Sequence, residues 1–498
     1  MNNRTSKQTR PAFYARAALA DNRPSNYSTP SRMKTHGALL TLALVLGIVL
    51  APLTCQAVPS FARQTGLACI ACHTEFPELN AFGRQFKLTG YTLAPTPSDL
   101  PPVALMFMPS FTHTGKSQAG GAATGFSPNN NFALTQASLF YAGRLFGPYA
   151  DKLFGTEGAA FANKFGIFSQ TTYDGVADRL HWDNTELRFS DVGEIAEKPV
   201  MYGVYLNNNP TLQDPWNTTP AWGFPFSQSG LAAQTPPSPL IDGGLAQQVG
   251  GVGAFIFYDN SFYIDVAGYR TLSAPLQNSL GITPDGEAQV TGFAPYWRAA
   301  YTKAVDNNSY EIGTFGLLTE SYPGRDSSSG TDRILDLGFD AQAQFAMEGQ
   351  DLTFMASWIH EQQNWGASQN LALTANPSDY LEKFKLTADY LYDKTYGFAV
   401  QYFATGGSTD AIMYGNTVPG ALGNSATNSP ASDGVVLALN WLPFNKNGGP
   451  DFWPKSNVKV SLQYTIYDRI NGAHNNYDGA GANASDNNTL YLELWIAF

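Results

Sequence analysis

The sequence predicts an all-β chain: a large antiparallel transmembrane β-barrel of about sixteen strands, preceded by a short helical segment. Three observations carry this. Only 14% of residues are charged while 13% are aromatic and 47 of 498 are glycine, yet mean hydropathy is slightly negative. A soluble enzyme carries more charge, whereas strands that alternate apolar and polar faces average out in this way. From Pro102 onward a period-two alternation dominates, and the gaps between alternating segments are in turn long and short. A secreted, glycine-rich all-β protein is the competing class.

Residues 1–57 read as a targeting region. An apolar, uncharged run from Ala38 to Leu53 follows Lys34 and ends at Cys55-Gln56-Ala57, a small-residue cleavage site before Val58. The polar stretch ahead of it is long for such a leader, and Met33-Lys34-Thr35-His36 makes an ordinary start, so translation is expected to begin at Met33. Cys55 raises a lipoprotein reading, for which Pro52-Leu53-Thr54 is a poor match. Removing residues 1–57 takes away seven of the 29 basic residues and one of the 40 acidic ones. That leaves 22 against 39, a net charge of −17 where the whole chain has −11. Such a surface repels nucleic acid and favours cations.

Of three cysteines, Cys55 leaves with the leader and the others stand in Cys69-Ile70-Ala71-Cys72-His73. C-x-x-C-H is the spacing of covalent haem attachment. Two thiols one helical turn apart reach the two vinyl groups of one porphyrin, and the next residue lies under the ring with its imidazole on the iron. Cys69, Cys72 and His73 are therefore the candidate cofactor-binding residues for one haem c, with His73 the proximal ligand. The alternatives are a disulfide or half of a zinc site. Structural zinc needs about four protein ligands, and no second cysteine pair exists; a redox disulfide belongs in a βαβ context. No catalytic residue is assigned. Phe76 to Leu88 is expected to be a helix with Pro77 in its first turn and with Leu79, Phe82 and Phe86 on one face, suited to packing on a haem or on protein. The stretch from Val58 to Pro102, about 45 residues, is too short to wrap a haem and build a core, so the rest of the chain must shelter it.

In the barrel region Val458, Val460, Leu462, Tyr464 and Ile466 take one face and Lys459, Ser461, Gln463 and Thr465 the other. Sixteen such segments are expected near residues 103–112, 132–145, 160–172, 180–190, 199–206, 248–258, 261–271, 292–303, 309–319, 334–346, 351–361, 382–392, 395–403, 433–441, 457–467 and 488–498. Gaps after even-numbered segments are mostly short, as at Asp259-Asn260 and Asp393-Lys394. Those after odd-numbered segments are mostly long, as at residues 207–247, 320–333, 404–432 and 468–487. Short periplasmic turns and long outer loops are the barrel pattern, and residues 146–159 and 442–456 are its exceptions. The last segment alternates to a terminal Phe498; an ordinary edge strand of this kind would be aggregation-prone. The expected organisation is a targeting region (1–57), a c-type cytochrome segment (58–102) and an outer-membrane porin-like barrel (103–498).

Val58-Pro59-Ser60-Phe61-Ala62-Arg63-Gln64-Thr65-Gly66, the C-x-x-C-H, Phe76-Pro77-Glu78-Leu79-Asn80 and Phe82-Gly83 to Gly90-Tyr91 resemble the fused cytochrome–porins, outer-membrane monohaem c-type cytochromes of iron-oxidising bacteria. The resemblance covers residues 58–91 and, in the barrel, only architecture and length. It implies a Gram-negative outer membrane, one haem at a barrel of about sixteen strands, electron uptake from extracellular Fe(II), and delivery to a periplasmic carrier such as a soluble cytochrome c. A porin-type channel with a structural or sensory haem segment, a conduit for another donor, and a soluble secreted haem protein are the alternatives. For the distal iron position the first strand offers Met106 or Met108 on its lumen face; a Met/His pair raises the potential, though methionine also simply packs. His113, His181, His360 and His474 are more distant candidates. Arg63, Arg84 and Lys87 are candidates for haem propionates or plain surface charges, and the expected lumen residues Asp336, Asp340, Asp389 and Glu493 for attracting a divalent cation.

Overall fold

The structure, a computed structural model, describes residues 59–93, 101–232, 236–286, 289–415, 424–451, 453 and 456–498. The expected leader, with Met33 and Cys55, lies outside them. Two helices come first, α1 (Pro59–Thr65) and α2 (Ala81–Leu88), with a single 3-10 turn at Cys69–Ala71 between them. The strands follow: β1 (Val103–Thr114), β2 (Asn131–Arg144), β3 (Phe165–Asp174), β4 (Arg179–Ile195), β5 (Lys198–Asn207), β6 (Val249–Tyr258), β7 (Phe262–Thr271) and β8 (Ala294–Val305). The second half is β9 (Asn308–Ser321), β10 (Asp332–Met347), β11 (Gln350–Asn364), β12 (Ser378–Tyr392), β13 (Tyr396–Gly407), β14 (Ser432–Trp441), β15 (Asn457–Arg469) and β16 (Thr489–Ala497).

Each strand pairs with its neighbours in sequence and β1 closes on β16, giving one antiparallel barrel of sixteen strands. The strands sit where alternation put them, with ends shifted by a few residues. The largest shifts, five residues each, are at the start of β3, where α3 (Ala150–Ala162) occupies the residues before Phe165, and at the end of β4, which runs on to Ile195.

The wall is inside-out relative to a soluble sheet. On β15, Lys459, Ser461 and Gln463 are buried while Leu462, Tyr464 and Ile466 are exposed. On β10, Asp336, Asp340, Gln342 and Gln344 are buried while Phe339 is 55% exposed. Exposed apolar side chains recur outward on β5, β6, β7, β13 and β14 at Val204, Val252, Val266, Phe398 and Leu439. An apolar exterior with every backbone group paired inside a closed sheet is a solution for a hydrocarbon solvent. The chain is a membrane-spanning barrel of the outer-membrane kind.

The short connections Ala196-Glu197, Asp259-Asn260, Asp306 and Asp393-Lys394 carry positive φ, as tight hairpin turns require. They lie at the same end as the start of β1 and the end of β16, so both barrel termini are at the short-turn, periplasmic end.

The lumen is filled by two insertions. At the short-turn end, Ser60 Oγ and Gln64 Nε2 donate to the Ala142 carbonyl at 2.8 and 3.1 Å. Residues 208–248 are the second. The sequence expects an outer loop here; it folds inward. Ile241 N donates to Asp336 at 3.1 Å, Ser227 Oγ to Glu493 at 2.9 Å and Lys459 Nζ to the Pro225 carbonyl at 3.1 Å. Leu240 N reaches Glu361, and Lys383 pairs with Asp242. The reason is solvation: Leu212, Trp216, Leu231, Leu240 and Ile241 are buried here and would face water in an outer loop.

The seam closes on the last residue. Leu105 N donates to the Phe498 carbonyl (2.7 Å) and Phe498 N to the Leu105 carbonyl (2.9 Å), and the Phe498 ring lies 5.7 Å from Phe107 and from Trp453. Deleting Phe498 removes both bonds and both ring contacts. The yield of heat-modifiable barrel on a semi-native gel is expected to fall several-fold; an unchanged yield would show that the seam closes without it.

Candidate functional site: the Cys-x-x-Cys-His turn

The motif is held by a short fold-back. Cys72 N and His73 N both donate to the Cys69 carbonyl, at 3.1 and 3.0 Å. The chain reverses through Glu75 and a cis Phe76–Pro77 bond, Thr74 N donating to the Glu78 carbonyl at 3.2 Å and His73 bridging Leu79. Asn80 then caps α2. Its Oδ1 accepts from Gly83 N at 3.0 Å, and its Nδ2 donates to the Ile70 and Ala71 carbonyls at 3.3 and 3.1 Å. The helix expected from Phe76 therefore begins at Ala81: an Asn cap satisfies the first free N–H groups there, and Pro77 belongs to the reversal. Gly83 packs directly under the motif, where a Cβ would stand 2.1 Å from the Cys72 carbonyl oxygen.

His73 Nδ1 lies 3.0 Å from the Glu78 carbonyl. A carbonyl only accepts, so Nδ1 carries the proton. Burial pulls the imidazole pKa down to about 4, leaving a neutral ring with a lone pair on Nε2. Metal-binding histidines are oriented by just such a bond on the other nitrogen. Cys69 and Cys72 are not joined in a disulfide and are partly exposed, and burial, then the neighbouring Cys69, pushes the Cys72 thiol up to about 11. Leu67 and Phe82 are exposed and Ile70 partly so. Two thiols, one imidazole lone pair and an open apolar shelf fit a covalently tethered haem. Among the described residues no three His, Cys, Asp or Glu side chains converge as a site for a bare metal ion.

Beneath the motif, the Phe76 ring is 5.2 Å from His73 and 5.2 Å from Trp495. Met106 and Met108 both point inward and are buried in the cluster formed by Phe76, Ala104, Phe140 and Trp495. Both methionines thus lie in the same buried cluster as Phe76, the ring beside His73. The face expected from Leu79, Phe82 and Phe86 is divided: Phe86 is buried against Phe61 and Tyr91 at 5.1 and 5.8 Å, whereas Phe82 is open. The more distant histidines are not brought to the motif. His113 bonds Asn130 at the outer rim, His181 lies at the outer end of β4, His360 faces outward beside Glu382, and His474 is exposed in a loop.

The basic candidates for propionates have partners within the protein. Arg84 donates to Gln342, Gln344 and Ser309 at 2.9, 2.7 and 2.7 Å. Lys87 donates to the Asp214 carbonyl and Asn217 Oδ1 at 2.5 and 2.9 Å and sits 4.2 Å over the Trp222 ring. Arg63 donates to the Val103 carbonyl. Both α2 side chains point into the lumen because that is the helix face the barrel covers.

The same filling meets the inward carboxylates. Asp336, Asp340, Asp389 and Glu493 do face inward and are buried. Asp336 and Glu493 accept from the inserted loop, as above, and Asp340 holds Thr218 and Arg298. Asp389 meets Glu78, whose carboxyl is pushed up to about 8 by burial and then by Glu75. Glu75 pairs with Lys459 at 2.8 Å, both fully buried. Deeper in, Arg298 contacts Asp214, Glu311 and Asp340 at 3.2, 3.2 and 2.7 Å. Asp214 also accepts from Trp216 N, Thr218 N and Thr219 N at 3.1, 3.0 and 3.1 Å. The N-terminal segment, the loop and the wall are thereby tied together. Glu75, Asp214, Arg298 and Gly83 carry no local sequence signal, since their roles exist only across the lumen or across the fold-back.

No family model matches the chain, and no curated protein matches it. Solved structures similar to it include bacterial outer-membrane proteins. OprB of Pseudomonas putida is 12% identical (TM-score 0.42) and covers 80% of this chain and 93% of its own. An anion-selective porin from Comamonas acidovorans is 10% identical (TM-score 0.41), covering 79% and 98%. A loop-deletion form of the Vibrio cholerae outer membrane protein OmpT is 7% identical (TM-score 0.39), covering 80% and 97%.

Gly83→Ala drives a methyl into the Cys72 carbonyl. It is expected to cost about 1–3 kcal/mol, as overpacking does, read as a lower melting temperature and faster proteolysis of residues 59–93 in an intact barrel. An unchanged melting temperature and digestion rate would mean that the fold-back tolerates the shift.

Proposed function

We propose that this chain is an outer-membrane electron carrier, with one haem c attached at Cys69 and Cys72 and ligated by His73, seated at the periplasmic mouth of a plugged barrel. One observation carries the reading: a C-x-x-C-H turn whose imidazole already has Nδ1 bound to the Glu78 carbonyl, which leaves its lone pair on Nε2, mounted beside two partly exposed thiols. When bound, the haem supplies reversible one-electron chemistry. The residues of the chain do the rest. Cys69 and Cys72 tether, the Glu78 carbonyl fixes the ring plane of His73, and Leu67, Ile70 and Phe82 offer apolar surface to the porphyrin.

The filled lumen favours passage of electrons over passage of solutes, since the Arg298 cluster and the inserted loop occupy the path a porin would leave open. The donor is the part that rests on the fused cytochrome–porin resemblance: Fe(II) outside gives up one electron and becomes Fe(III), and a periplasmic carrier takes that electron. With the lumen carboxylates engaged, capture of Fe(II) falls to the outer loops rather than to the lumen.

The test is expression with a cytochrome c maturation system. The wild type is expected to stain for haem on a denaturing gel, and Cys69→Ala with Cys72→Ala to lose the stain while the barrel still folds. An unstained wild type would overturn the haem assignment. Fe(II) added to the detergent-solubilised protein is expected to reduce the haem, with His73→Ala abolishing normal reduction. Reduction by another donor alone would remove iron and leave the electron carrier. If Met106 or Met108 is the distal ligand, its replacement by Leu removes the sulfur–iron absorption; if neither replacement changes the spectrum, both are packing residues.

A further inference from the structure

The connection from β2 to β3 departs from the short-turn pattern of its end of the barrel. It contains α3, thirteen residues with a break at Gly155. Ala150, Ala159 and Ala162 are buried against Phe146, and Phe146 meets Phe154 at 4.8 Å. The opposite surface is open: Leu153 is 62% exposed, Phe161 59% and Phe154 47%. On a soluble surface such a group of large side chains would be costly.

Its position says what covers it. Arg188 and Ser190 point into the lumen, where they donate to the Lys87 and Leu88 carbonyls, and Gly166 abuts Gly90 of the inserted segment. Their neighbours Phe189 and Phe165 therefore face outward, paired across β3 and β4 at 5.1 Å. Phe161 packs on both, at 5.4 and 5.8 Å. So α3 folds back along the outside of the wall, and its apolar surface continues the lipid-facing belt at the periplasmic rim. Asp151, Lys152 and Glu157 are exposed on the same short helix, the mixture found in helices that lie in a headgroup layer, and aromatic side chains favour that depth.

We propose that α3 is an interfacial anchor that inserts Leu153, Phe154 and Phe161 among the phospholipids of the periplasm-facing leaflet and fixes the depth of this end of the barrel. The experiment places the photoreactive residue benzoylphenylalanine at position 153 or 161, and at Ser328 in an outer loop as control, in the full-length protein. Each variant is reconstituted in vesicles of phosphatidylethanolamine and phosphatidylglycerol, checked for heat-modifiable migration, irradiated and weighed intact. Positions 153 and 161 are expected to yield protein–phospholipid adducts at least several-fold above position 328. A crosslinked dimer in place of the lipid adduct would assign the face to a second copy of the chain, and adduct levels equal to the control would place α3 in water; either overturns the proposal. Should a variant fail to insert, position 154 replaces it.

Discussion

A closed sheet in a membrane must put its polar face somewhere other than lipid, and in this chain that face has nowhere to go but a wide lumen. Each inward Asp, Glu, Gln, Arg or Lys then needs a partner, because an unpaired buried charge costs several kcal/mol. The N-terminal segment and residues 208–248 supply such partners. Arg298 gathers three carboxylates, one of them from the loop, and Lys459 meets Glu75 of the N-terminal segment. Filling and wall therefore stabilise each other, and removing one partner alone would strand the other.

The motif depends on the same constraint. About 35 residues cannot bury a core of their own, yet residues 74–78 and 86–91 are largely buried here. They are buried by the barrel, through Trp495, Lys459, Gln344 and Arg188. Residues 66–73 and Phe82, by contrast, stay exposed or only partly buried. Lumen packing thus anchors the residues on either side of the Cys69–His73 turn.

Buried ion pairs of this sort are weak contributors to net stability, since desolvation offsets much of their attraction. Their stronger effect is on placement. Asp214 fixes three backbone N–H groups of the loop as well as Arg298, and the Lys87 ammonium reaches the same turn from α2. The inserted loop and the N-terminal segment consequently hold one arrangement relative to each other.

Alternation alone determined the barrel, its strand count and the location of nearly every strand, because in lipid the side-chain period of a strand is enforced on both faces. Spacing alone determined the candidate site, since Cys69, Cys72 and His73 are contiguous and their chemistry is local. What alternation could not reach was where long loops go. Residues 208–248 read as an outer loop until the lumen was there to take Trp216, Leu231 and Ile241. The start of α2 was decided by Asn80, whose cap competes with Pro77 through bonds to the motif itself. The fates of Arg84, Lys87, Asp336 and Asp340 were decided by partners between about 40 and 260 positions away in the chain. Such pairings have no local signature: they arise only when a closed wall brings distant segments into one low-dielectric space, where each charge must find its opposite.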